Sequence, residues 1–257
     1  LALLPLVGGC AALRAAQQEA DAFAAQERAC DGGDPRACFG CAEAYTADYH
    51  RQKREGTERP ELLARARNDY RRACDRGIAD ACLVMARLEY SASDPRAIVD
   101  ARKACDLGLA PGCLEAVDRV RFSGRPPEDQ RRELVPLARR ACELDVDACP
   151  EAASALMSVD PETAETLALR PCDARQLRAC GRAAALRLDG AFNRRVQTRA
   201  CEAGLADVCE QLAKVAVETK AEEARQLYRR ACALGDESAC GALGRFLVDP
   251  RRAAPAR

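Results

Sequence analysis

In the stretch ELLARARNDYRRAC, Glu61 to Cys74, the apolar residues Leu62, Leu63, Ala66, Tyr70, Ala73 and Cys74 follow the i, i+3, i+4 spacing of one buried helical face. Pro60 stands just ahead, where a helix start tolerates its missing N–H. The run stops at Gly77, three residues past the cysteine, and glycine recurs at that offset at Gly33, Gly108, Gly204 and Gly235. Glycine adopts the left-handed conformation that closes a helix without a steric penalty. A second apolar run then opens around another cysteine. Each such unit reads as two helices joined by a tight turn, which predicts an all-α chain.

The cysteines are the fixed points of an internal repeat. Fourteen of the sixteen form consecutive pairs: Cys30 with Cys38, Cys74 with Cys82, Cys105 with Cys113, Cys142 with Cys149, Cys172 with Cys180, Cys201 with Cys209 and Cys232 with Cys240. Six pairs are C-x7-C and the fourth is C-x6-C. Their first members lie 44, 31, 37, 30, 29 and 31 residues apart, the range of helical-hairpin repeats. Alanine precedes the first cysteine in six units, with Pro171 the exception, and a small or branched apolar residue precedes the second in all seven. The fourth and fifth units lack the turn glycine. A basic residue stands two positions before every first cysteine (Arg28, Arg72, Lys103, Arg140, Arg170, Arg199, Arg230), which suits the negative end of a helix dipole and is read as structural.

A cysteine in the last turn of one helix and another in the first turn of its antiparallel partner bring their Cα atoms within reach of a disulfide. Zinc is the competing use, but structural zinc sites favour C-x2-4-C knuckles, a spacing that none of the pairs has. Cys38 and Cys41 make one C-x2-C step without a second. Disulfides are therefore expected at all seven pairs, with no metal or cofactor. The chain has no Trp and only five Tyr and five Phe, so each hairpin buries little aromatic area. Closing a nine-residue loop adds roughly 2.5 kcal/mol in the chain-entropy account.

Disulfides require an oxidising compartment. The N-terminal LALLPLVGGC is a short apolar run ending in Val7-Gly8-Gly9-Cys10. It resembles the lipobox of bacterial lipoproteins, which implies lipid attachment at Cys10 and cleavage before it. On this reading residues 1–9 are a signal-peptide remnant, 10–249 the repeat region and 250–257 a flexible basic tail. Ala11 rather than Asp follows Cys10, which by resemblance to enteric lipoproteins points to the outer membrane, facing the periplasm or the cell surface. Cys41 fits neither the pairs nor the lipobox. The same position after the other second cysteines holds Met85, Ala116, Ala152, Ala183, Leu212 and Leu243, so Cys41 is expected to be a buried free thiol in the core.

Segments such as ARARNDYRRACDRGIADACLVMARLEY and ARQLYRRACALGDESACGALGRFL resemble the Sel-one-like repeat class of tetratricopeptide-type solenoids, specifically its Helicobacter cysteine-rich protein branch. The A-C-x-x-G-x4-C core recurs at Cys74, Cys105, Cys201 and Cys232, and Phe122 to Arg132 resembles the family's inter-repeat loop. The resemblance covers roughly Phe23 to Leu247. It implies a right-handed α-solenoid of about seven disulfide-closed antiparallel hairpins, monomeric, with a groove that binds a protein or peptide.

Members of that branch are often labelled β-lactamase-like, an activity that needs S-x-x-K together with S-D-N and K-T-G. No serine here is followed by Lys at +3, and neither other element occurs. The single histidine, His50, excludes an H-x-x-x-H zinc site, and its segment YTADYHRQKREGTERP is read as a solvated linker. Lys plus Arg equals Asp plus Glu at 40 each, so no net field favours nucleic acid. The sequence points to a non-catalytic, lipid-anchored interaction scaffold of the bacterial cell envelope, membrane-bound through Cys10. The alternative is a β-lactam or muropeptide binder with weak β-lactamase activity.

Overall fold

The computed structural model describes residues 7–88, 95–186, 190–217 and 219–248. Among them the chain is all-α, and the helices follow one another as hairpins. The first compact unit runs to Ala116. It holds α1 (Val7–Asp31), α2 (Pro35–Glu55), α3 (Pro60–Asp75), α4 (Ala79–Leu88), α5 (Pro95–Asp106) and the first half of α6 (Ala110–Arg121). The second unit starts at Val117 and contains α7 (Pro127–Leu144), a 3₁₀ turn (Val146–Ala148), α8 (Cys149–Leu156), α9 (Pro161–Asp173), α10 (Leu177–Ala184), α11 (Gly190–Ala203), α12 (Ala206–Ala216), α13 (Ala221–Ala233) and α14 (Glu237–Val248). Within the second unit α9 also packs on α11 and α8 on α10, so first helices stack on first helices and second on second.

Among the described residues seven disulfides close the seven hairpins, with Cα–Cα distances of 4.4–4.7 Å. The pairing is the expected one. Cys30 bonds Cys38, Cys74 bonds Cys82 and Cys105 bonds Cys113. Cys142 bonds Cys149, Cys172 bonds Cys180, Cys201 bonds Cys209 and Cys232 bonds Cys240. The second cysteines Cys38, Cys82, Cys113, Cys149, Cys180 and Cys209 are fully buried. Cys232 and Cys240 are only partly buried, since among the described residues no further hairpin follows to cover theirs.

The spacing of eight follows from how the corner is hydrogen-bonded. In six corners the left-handed residue donates its N–H to the carbonyl of the first cysteine at 2.9–3.1 Å. The next residue donates to the carbonyl one position before that cysteine at 2.8–3.1 Å, completing a Schellman motif. That same residue (Asp34, Ile78, Leu109, Gln176, Leu205 or Asp236) accepts on its own carbonyl the N–H of the second cysteine at 2.8–3.3 Å. One residue thus ends the first helix and starts the second, and the two cysteines are left facing each other across the corner.

The units that lack glycine solve the corner differently. In the fifth, Arg175 takes the left-handed position at φ 55°, the only non-glycine residue with positive φ among those described. In the fourth, which is one residue shorter, no left-handed residue is used. Asp145 accepts from the N–H of Asp147 at 2.9 Å and the chain turns through the 3₁₀ segment straight into α8. Gly112 answers another demand, because a Cβ there would lie 2.5 Å from the Cβ of Ala104. The small residues flanking the cysteines elsewhere serve the same close approach: Ala73, Ala104, Ala141, Ala200 and Ala231 are fully buried.

The segment read as a solvated linker around His50 is mostly helix. α2 continues to Glu55 and stops at Gly56, a left-handed cap at φ 70°. Its polar sequence is held by local pairs: Asp48 accepts from both Arg51 and Gln52, and Thr46 Oγ1 donates to the carbonyl of Ala42 at 2.8 Å. Only Gly56 to Arg59 links α2 to α3. Charge density marked the segment as solvated, which holds for His50; it did not mark it as non-helical. The loop expected over Phe122 to Arg132 is likewise shorter, because α7 begins at Pro127.

Candidate functional site

Four of the basic residues before the first cysteines reach the preceding hairpin, whereas Arg140 pairs at 3.8 Å with Glu143 in the last turn of its own helix. Arg72 on α3 meets Asp31 at 3.2 Å and the carbonyl of Cys30 at 2.6 Å. Lys103 on α5 meets Asp75 at 2.9 Å, Arg199 on α11 meets Asp173 at 2.8 Å, and Arg230 on α13 meets the carbonyl of Glu202 at 2.8 Å. Each target lies at or just after the first cysteine of the hairpin before. The negative helix end is therefore neutralised in trans, which ties neighbouring repeats together. The matching acidic column (Asp31, Asp75, Asp106, Glu143, Asp173, Glu202) stands directly after six first cysteines and was readable in the sequence.

Arg28, the first member of the column, has a different setting. It lines a cavity of about 390 Å³ inside the first unit, together with Ala24, Glu27 and Asp31 from α1, Cys41 and Tyr45 from α2, and Arg65, Asn68, Asp69 and Arg72 from α3. The cavity opens between two successive first helices, and α2 forms its floor. Its carboxylates are already engaged: Tyr45 Oη donates to Glu27, and Arg72 bridges Asp31 and Asp69 at 3.2 and 3.3 Å. Arg65 lies over the Tyr45 ring, 5.9 Å from its centroid. Burial, then the hydrogen bond to Glu27, pushes the Tyr45 phenol up to about 12. Among the described residues no hydrogen bond or ion pair engages the side chain of Arg28 or Asn68, so the mouth offers donors without partners. Phe23 packs edge-on against Tyr45 at 5.4 Å on the cavity floor.

At the inner end of the cavity the Cys30–Cys38 disulfide meets Asp69, whose Oδ1 lies 3.6 Å from Cys30 Sγ. Burial is the main reason the Asp69 carboxyl titrates above the ordinary carboxylate range, with Arg72 opposing it. Cys41 is fully buried and unpaired. Burial, then the charges of Asp69, Glu27 and Asp31, pushes its thiol up to about 11, so at neutral pH it is a protonated, unreactive group. The column to which it belongs is core, with Met85, Ala116, Ala152, Ala183 and Leu212 buried and Leu243 in the last hairpin partly buried.

His50 is exposed and stacks edge-on against Tyr49 at 5.5 Å, away from the cavity residues. α1 carries Cys10 in its first turn, while the Cys10 side chain, Leu1 to Leu6 and the basic tail from residue 250 lie outside the described residues. No helix among the described residues is long and apolar enough to cross a membrane. The cavity itself had no sequence signal, because it needs three helices to converge on side chains up to 48 positions apart, Ala24 to Arg72.

No family model matches the sequence, and no curated protein matches it. Solved structures do. A Sel1 repeat protein from Oxalobacter formigenes superposes with a TM-score of 0.51 at 16% identity, over 92% of this chain and 75% of that one. A protective antigen present in uropathogenic Escherichia coli strains, displaying an SLR fold, gives 0.49 at 18% identity over 90% of this chain. The match covers 54% of the antigen, so this chain spans about half its length. At such identities the likeness is one of fold, and together with the paired cysteines in every hairpin it makes this an all-α chain of the Sel-one-like repeat fold.

Proposed function

We propose that the protein is an exported, non-catalytic scaffold, anchored to the bacterial envelope through a lipid on Cys10, that holds another protein or peptide with the α1–α3 cavity. The observation that carries this reading is the disulfide in each of seven hairpins, which suits an oxidising compartment. Cys10 stands outside all seven and ends an apolar leader. The cavity supports binding over chemistry. Its one thiol is held protonated and its carboxylates are engaged in internal pairs, so no activated nucleophile faces a ligand. Arg28 and Asn68 are left to meet an acceptor on the partner.

The test is a photo-crosslinking amino acid placed at Asn68 in the envelope-expressed protein, with Arg178 on α10 as the distant control. A discrete adduct from Asn68 alone supports the scaffold reading, and equal adducts from both positions oppose it. Cys10→Ala is expected to move the protein from the membrane to the soluble fraction with its fold intact; unchanged membrane association sinks the lipid anchor. Turnover of a chromogenic cephalosporin by the purified chain replaces the scaffold with the β-lactamase reading.

A further inference from the structure

We infer, building on the scaffold reading, that the first unit takes an extended peptide in which an acidic side chain and an aliphatic one stand about six positions apart. Arg28 on α1 meets the carboxylate, Asn68 on α3 holds the peptide backbone midway, and Val99 on α5 receives the aliphatic side chain.

The three residues lie along one rim of successive first helices. Asn68 and Val99 each stand six positions before a first cysteine, Cys74 and Cys105, and both are exposed. Arg28 and Arg72 stand one helical turn further on, two positions before Cys30 and Cys74, and line the cavity with Asn68. α3 is tied to α1 by Arg72 with Asp31 at 3.2 Å, and to α5 by Lys103 with Asp75 at 2.9 Å and Arg71 with Asp100 at 2.6 Å. Packed helices lie roughly 8–10 Å apart, and an extended chain advances about 3.3 Å per residue. Arg28 and Val99 are two helix spacings apart, which sets the span of the peptide and puts Asn68 at its middle.

Charge decides which group Arg28 takes. Three arginines and three carboxylates line the cavity, but Glu27 accepts from Tyr45, and Asp31 and Asp69 share Arg72. Arg65 is spread over the Tyr45 ring. The guanidinium of Arg28 is left for a ligand, and a carboxylate is the acceptor that matches its planar fork. The Asn68 amide offers N–H donors and a carbonyl acceptor, the complement of one peptide group.

A single exposed valine is ordinary, but Val99, 63% exposed, carries the row begun by Arg28 and Asn68 onto the next helix. The acid is a side chain within the peptide and not its end, because the row is open beyond α1. Ala22, Ala25 and Ala29 on α1 are exposed, whereas Ala73 and Ala104, which match Ala29 on α3 and α5, are fully buried. A peptide can therefore run on past Arg28.

The experiment uses the full chain with Cys10→Ala and its disulfides intact. Fluorescein-labelled peptides, blocked at both ends, carry Glu and Leu about six positions apart on a Ser-Ala spacer, and fluorescence anisotropy reads the binding. This peptide is expected to bind at least about tenfold tighter than one with Gln in place of Glu, or one with Glu and Leu at half the spacing. Arg28→Ala is expected to abolish the preference for Glu over Gln while leaving the Gln peptide unchanged. Val99→Ser is expected to abolish the preference for Leu over Ser at the far position, and Arg178→Ala on α10 to change nothing. Circular dichroism checks that each variant is folded. No binding, equal affinity for Glu and Gln, indifference to spacing, or a Glu preference that survives Arg28→Ala each overturns the inference. So does tighter binding of a Gln peptide with a free C-terminal carboxylate. A crosslink from Asn68 without this peptide selectivity removes the inference and keeps the scaffold; absence of the crosslink removes both.

Discussion

Arg72 Nη2 donates to the carbonyl oxygen of Cys30 at 2.6 Å, so a side chain of the second hairpin closes a helix end of the first. The same guanidinium holds Asp31 and Asp69, three acceptors for one cation, and its side chain is 29% exposed. Arg72→Ala is expected to lower stability in urea denaturation by about 1–2 kcal/mol, less than a fully buried charged network because water screens part of it. Arg72→Lys recovers only part of the loss, since an ammonium cannot serve three acceptors in a planar fork. Amide exchange should accelerate first in the last turn of α1.

The buried thiol gives a second expectation. With its pKa near 11, Cys41 is thiolate in about one molecule in a thousand at pH 8, and it is shielded as well. A maleimide is expected to label nothing in the folded, oxidised Cys10→Ala protein and one site after denaturation without reductant. Mass spectrometry of the digest should place that label on Cys41. Fast labelling of the native state, or a second denatured-state thiol, contradicts the pairing.

Arg175 occupies a backbone position that five other hairpins give to glycine. A left-handed non-glycine residue carries a steric penalty of roughly 1–2 kcal/mol, offset in part by the greater chain entropy that glycine loses on folding. Arg175→Gly is expected to raise stability by about 0.5–1 kcal/mol, and Gly204→Ala, at φ 115°, to lower it by about 1–2 kcal/mol. Thermal melts of the two variants should move in opposite directions.

Asp160 caps α9 from a buried position, accepting from the N–H of Thr163 at 3.2 Å and from Arg131 at 3.3 Å. Burial pushes its carboxyl up, but the Thr163 hydrogen bonds and Arg131 outweigh burial, and its pKa falls below the ordinary carboxylate value. A carboxyl whose folded pKa is depressed adds stability above its unfolded pKa and loses it as pH falls through the folded one. Asp160→Ala is therefore expected to cost about 1–2 kcal/mol at pH 7, with the gap to the parent closing below the carboxylate range. A gap that stays constant down to strongly acidic pH would refute the charge-linked part.

What the sequence made legible is local. Cysteines eight apart, a glycine three past the first, and apolar residues on a 3.6-residue period all act within one corner, so pairing, hairpin and core column could be read directly. Contacts between hairpins depend on side chains 24 to 42 positions apart, such as Thr46 with Tyr70, Lys103 with Asp75 or Arg72 with Cys30. The basic half of that ladder was visible, and its acidic half passed for surface charge. The His50 segment was misassigned because charge measures solvation, whereas Asp48 with Arg51 and Gln52 shows the same residues pairing along a helix. Asp69 looked like one more surface acid until α1, α2 and α3 met around it.

The double duty of the corner residue sets where such a chain can change length. An added residue between the paired cysteines would turn the second helix by about 100° and carry its sulfur off the facing side. The far ends of the hairpins have no such register to keep. α2 runs 21 residues where α12 runs 11, an extension of roughly 15 Å that leaves both corners unaltered. A tag, an epitope or a partner-specific arm belongs at that open end, beside Gly56 to Arg59, where growth adds whole turns without disturbing a single bridge.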